Sequence, residues 1–187
     1  MAFAVHRGPR MNSRFPMTTG LMVKVVTALT ALITFVLLPV QAVAMYHFAP
    51  PGPARGVVVA ALALTFAVLA FTFLLAPRAV RVSGGRLVVE RWLWSDFAVP
   101  LRTLRSVEPG PQLRLLRGEV RRVAGNGGLM GFTGLFYVKD VGLVRCWATQ
   151  LEAPTVLVRR NDGRPLLLGV DDARGLMEAL RRSGVPA

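Results

Sequence analysis

The chain has 187 residues, 53% of them hydrophobic and only 18% charged, with a formal net charge of +13. That length holds one or two domains, and the composition excludes a disordered chain and sits badly with a soluble domain of this size. No acidic residue precedes Glu90, so residues 1–76 carry only Arg7, Arg10, Arg14, Lys24 and Arg55 as charged groups. An apolar, basic front half before a charged back half points to a membrane protein with a basic inner face ahead of a nucleic-acid binder.

Residues 1–20 read as a basic tail and residues 21–76 as a transmembrane hairpin. The second span is the cleaner one: residues 56–76 contain no charge, and 21 helical residues reach about 30 Å, the thickness of the hydrocarbon core. The first span, residues 21–46, contains Lys24, Pro39 and Gln41. Lys24 lies in the first turn, where its stem can reach back to the headgroups. Pro39 is expected to kink the helix near its outer end. The same stretch also has the grammar of a cleavable leader: a basic start, an apolar run over residues 25–38, and Ala42-Val43-Ala44. The retained span is the favoured reading.

Basic residues cluster before the first span and after the second, at Arg78, Arg81, Arg86 and Arg91, while residues 47–55 hold one. This bias predicts that both ends lie inside, with a short, proline-stiffened outer loop. The lone Cys146 forbids an intramolecular disulfide and fits a reducing compartment.

Residues 77–187 read as a second unit of short strands and one helix. A hairpin over 79–83 and 86–94 turns at Gly84-Gly85. Short strands follow over 97–101 and 104–108, with Pro100 marking an edge or a bulge. After a loop over 109–118 come a strand at 119–123, a glycine-rich stretch at 125–134, and strands at 135–139 and 143–149. Strands at 154–160 and 164–170 flank Asn161-Asp162-Gly163, where Gly163 supplies a positive φ. The chain closes in a helix over 171–182, with Asp171 as the expected N-cap and Leu176, Met177 and Leu180 as its core stripe.

About seven antiparallel strands capped by a C-terminal helix describe a pleckstrin-homology (PH)-like barrel. Residues 79–182 resemble the bacterial PH domain families found in membrane proteins. The resemblance rests on VRVSGGRLVVERW, VPLRTLRSVE, GNGGLMGFTGLFYVKDVGLVRCWAT and VLVRRNDGRPLLLGVDDARGLMEAL. The family's glycine motif falls on Gly125, Gly127, Gly128, Gly131 and Gly134. The resemblance implies the barrel, a bacterial cytoplasmic (inner) membrane setting and no enzyme activity.

The candidate chemistry is sparse. The glycine stretch could cradle a phosphate, but it matches neither a Walker loop nor a dinucleotide fingerprint, and tight turns explain it as well. The back half contains no histidine, which leaves Cys146 without a base and removes the usual zinc sites. Asp171 and Asp172 read as capping acids. No metal, cofactor or catalytic residue is expected. Arg78, Arg81, Arg86, Arg114, Arg117, Arg121 and Arg122 are the candidate contacts to anionic lipid headgroups or an acidic partner. Trp92, Trp94 and Phe97 are either an interfacial anchor or core. The expected function is a membrane-anchored, non-catalytic binding or scaffolding module. The alternative is an accessory subunit of a transporter or envelope enzyme, whose spans meet a protein partner or a second copy. Nucleic-acid binding is not expected, since no RNA motif interleaves aromatic and basic residues.

Overall fold

The computed structural model describes residues 13–48, 52–111, 120–150 and 154–187. A short strand, β1 (Ser13–Pro16), precedes a long helix built from α1 (Leu21–Leu32), a π-helical turn (Ile33–Leu37) and α2 (Leu38–Phe48). The π turn ends two residues before Pro39. Proline has no N–H to return to the preceding turn, and there the Leu38 N–H donates to the Ile33 carbonyl, five residues back. Helix α3 (Pro53–Leu74) opens on Pro53, whose missing N–H costs nothing at a first-turn position.

The stretches Leu21–His47 and Arg55–Leu74, 27 and 20 residues, are long and apolar enough to cross a membrane. At 1.5 Å per residue they reach about 40 and 30 Å. Only 11% and 0% of their most apolar windows is buried, far less than in the core helix of a soluble fold.

The remaining elements are β2 (Pro77–Ser83), β3 (Arg86–Arg91), β4 (Phe97–Pro100), a 3₁₀ turn (Leu101–Thr103), β5 (Leu104–Pro109), β6 (Val120–Gly127), β7 (Phe132–Val138), β8 (Gly142–Ala148), β9 (Thr155–Arg160), β10 (Leu166–Gly169) and α4 (Ala173–Arg182). They form a four-stranded sheet, β1-β2-β3-β4, and a six-stranded sheet, β5-β9-β10-β8-β7-β6. All pairs are antiparallel except β10 with β8. The main core lies between the sheets: Val80, Val82, Leu87 and Val89 meet Trp147, Val158, Leu166 and Leu168. Leu176 and Leu180 of α4 close this core and are fully buried. The second face of the larger sheet carries Phe136, Val144, Cys146 and Leu167, and Val23 of α1 packs there.

The two apolar helices, the sheet-rich domain and the closing helix all stand where the sequence places them. Both glycines of the Gly84-Gly85 turn have positive φ, +58° and +72°, as a two-residue hairpin requires. Pro100 ends the edge strand β4. Several details differ, among them the parallel pairing of β10 with β8 where only antiparallel strands were expected. The described residues form ten strands in two sheets that do not close into a barrel. One of the ten, β1, comes from the basic tail: Ser13–Pro16 pairs antiparallel with Val82–Ala79. Its four residues show no clean alternation, and only its edge position makes room for Pro16. The helix cap shifts by one residue. Asp172, not Asp171, caps α4 by accepting the Gly175 N–H at 2.8 Å. Asp171 is engaged elsewhere: its carboxylate accepts the Thr18 N–H at 3.0 Å and the Thr18 hydroxyl at 2.9 Å.

Candidate functional site

The domain ends of the helices are held against the sheets from both sides. The Gly20 N–H donates to the Thr149 carbonyl, the Thr149 hydroxyl to the Thr18 carbonyl, and the Asp171 N–H to the Pro16 carbonyl. On the far side of α1, the tip of the β6–β7 hairpin docks through the Met130 N–H, which donates to Thr27 Oγ1 at 3.1 Å. The turn from β3 to β4 carries Trp92 and Trp94, both about half exposed. Trp92 stacks on Phe73 and Trp94 meets Phe71 edge-on, so both rings lie against the last turns of α3. Phe97 points the other way and packs on the buried Trp147, with centroids 4.6 Å apart.

The β6–β7 hairpin owes its shape to glycine. Gly125 and Gly134 pair across the ladder with φ of +111° and +132°. A Cβ on either would lie 2.3 Å from a carbonyl oxygen of the opposite strand. Gly131 is similarly tight, and Gly128 bonds Gly131 across the turn. The Asn126 side chain braces this turn through the Leu129 backbone. Close approach and turn geometry therefore account for these glycines. Gly127, without positive φ, lies under the Arg122 side chain.

Between this hairpin and α3 opens a cavity of about 460 Å³. Its floor includes Gly125 and Gly134, and one wall is Val68 and Phe71 of α3 with Leu75 just past its end. Three arginines line it: Arg91 at the end of β3, Arg122 on β6 and Arg145 on β8. No carboxylate lines it among the described residues. Arg145 lies over the Phe97 ring at 5.2 Å, which fixes its position by cation–π attraction. The Nε of Arg91 is buried without a hydrogen-bond partner. Partial burial, and then the neighbouring charge of Arg145, pull the Arg91 guanidinium below its ordinary value, with Asp96 opposing. Like charges gathered where water is partly excluded favour an anion between them.

The arginines expected from the sequence are distributed differently. Of Arg78, Arg81, Arg86, Arg121 and Arg122, the cavity contains only Arg122. Arg78 lies over the Trp92 ring at 5.2 Å. Arg81 reaches Glu90 at 3.6 Å, an acid that also holds Arg14 at 2.9 Å. Arg86 is exposed beside the Gly84-Gly85 turn, and Arg121 alternates to the other face of β6. Arg114 and Arg117 lie outside the described residues. Arg91 and Arg145 were not singled out as contacts by the sequence, because residues 54 positions apart meet only through the pairing of sheets. The alternation that sets Arg145 and Trp147 on one face of β8 was the available signal.

Among the described residues, no nucleophile stands beside a base here. Cys146 is fully buried, and burial pushes its thiol up, which keeps it protonated and inert. The described residues contain no cluster of three metal-ligating side chains. A family model described as bacterial PH domain matches residues 78–183, more than half of the chain. No curated protein and no solved structure matches.

Proposed function

The chain belongs to the bacterial PH domain family, and we propose that it is a membrane-anchored, non-catalytic binding module whose domain sits on the cytoplasmic face. PH domains are in general binding modules without catalysis, and the inert Cys146 accords with this. The observation that carries the reading is the pairing of β1 with β2. The strand before the first apolar helix and the strand after the second belong to one sheet, which requires both to lie on the same side of any membrane the helices cross. The bias of basic residues supports the inner side. The same pairing favours a retained first span, since cleavage after Ala44 would remove β1, the Thr18 tether and Val23.

The basic surface then faces anionic headgroups, where each arginine near the surface gains about 1 kcal/mol. Trp92 and Trp94, stacked on the end of α3, take the place of an interfacial belt. The test is hydrogen exchange of the full chain in nanodiscs, with and without phosphatidylglycerol, at two salt concentrations. The reading predicts added protection of residues 91–97 and 120–134 that needs the anionic lipid and fades with salt. Protection indifferent to lipid charge would refute headgroup binding and return the accessory-subunit reading.

A further inference from the structure

We infer that the cavity lined by Arg91, Arg122 and Arg145 holds the phosphate headgroup of one anionic phospholipid, with an acyl chain lying in the crevice between α1 and α3. This deepens the membrane reading and rests on it. The arginine cavity has an apolar neighbour. Thr72 and Leu129 line it and also line a second cavity of about 540 Å³ between the two helices. That crevice is walled by Ala31, Phe35, Phe66 and Phe73 and carries no charged side chain among the described residues. Both volumes fall within the range of about 300–1,000 Å³ typical of ligand pockets.

A cationic chamber beside an apolar one, with Thr72 and Leu129 shared between them, fits an amphiphile with an anionic head. The depth fits as well. The arginine cavity runs along the last two turns of α3, from Val68 to its C-cap Leu75, level with Trp92 and Trp94. Guanidinium groups grip phosphate through forked N–H donors. The unpartnered Arg91 Nε is a donor still unused. The backbone of Gly125 and Gly134 completes the lining of this chamber.

The test uses the full chain, delipidated in mild detergent and titrated with phosphatidylglycerol or phosphatidylcholine under native mass spectrometry. Wild type is expected to bind phosphatidylglycerol about tenfold or more tightly, the scale of one charge-assisted contact. Arg91→Gln with Arg122→Gln should abolish that preference. Arg105→Gln with Arg174→Gln, which removes equal charge at exposed sites, should keep it. Ala31→Phe, which fills the crevice, should weaken lipid binding with both arginines intact. Unfolding temperatures show that each variant is folded. The proposal is overturned if folded R91Q/R122Q binds phosphatidylglycerol as wild type does, if Ala31→Phe has no effect, or if inorganic phosphate stabilises the protein as well as the lipid. Alkaline carbonate extraction separates the two failures. A chain that washes off the membrane overturns the membrane reading and this inference with it. A chain that stays integral while R91Q/R122Q keeps its lipid overturns the inference alone.

Discussion

The glycine-rich hairpin is shaped by close approach of two strands, and a matched pair of substitutions tests this. Gly134 and Gly128 share φ of +132°, a conformation that L side chains rarely adopt, so alanine is strained at both by about 1–3 kcal/mol. They differ in space. A Cβ on Gly134 would lie 2.3 Å from the Ala124 carbonyl oxygen and 2.8 Å from the Gly125 Cα, neither of which can rotate away. A Cβ on Gly128 would meet only Val26 Cγ1, at 3.9 Å. Overpacking adds about 1–3 kcal/mol at Gly134 alone. A difference of about 2 kcal/mol in a domain of this size separates the two unfolding temperatures by about 10 °C. Thermal unfolding of the full-length variants in one detergent, followed by the strand signal in circular dichroism, reads it directly. Equal unfolding temperatures for Gly134→Ala and Gly128→Ala would refute close approach as the reason for glycine at 134.

Other expectations follow from single contacts. Asp172→Ala removes the cap of α4 and should cost about 1 kcal/mol, whereas Asp172→Asn should cost less, both read by chemical unfolding. Leu176→Ala empties a fully buried site in the main core and should cost about 2–5 kcal/mol in the same measurement. Cys146 should resist maleimide at neutral pH in the folded chain and react once the chain is unfolded. Labelling of the folded protein would contradict its burial. In vesicles with brominated acyl chains, Trp92→Phe with Trp94→Phe should remove most tryptophan quenching, because Trp147 is buried in the domain core.

The elements legible in the sequence are those whose signal is local. Twenty-one uncharged residues, two adjacent glycines, Asn-Asp-Gly and an acid-led amphipathic segment each dictate a short stretch of backbone without help from the rest of the chain. The strand at Ser13–Pro16 lacks such a signal and exists because β2 offers it an edge. β6 runs on through Gly127, past the point where glycine alone suggests a loop, because the facing glycine at 134 lets the two backbones come close. Likewise β3 stops at Arg91, although Trp92 and Trp94 continue its pattern, because both rings find partners on α3. The lining of the arginine cavity was legible only in part. Arg122 stands out within a basic run, but Arg91 and Arg145 are brought to it by sheet pairing and the return of α3, which no spacing in the sequence records.

The central claim is that the strand before the first helix and the domain after the second share the inner side of one membrane. Three single-cysteine variants test it in the native background, where Cys146 stays silent. Ser13→Cys marks β1, Arg86→Cys marks the exposed start of β3, and His47→Cys marks the far end of the first helix. With an impermeant maleimide on spheroplasts, the account predicts labelling of His47→Cys alone, and labelling of the other two only after the membrane is opened. Labelling of Ser13→Cys or Arg86→Cys on sealed spheroplasts would contradict it.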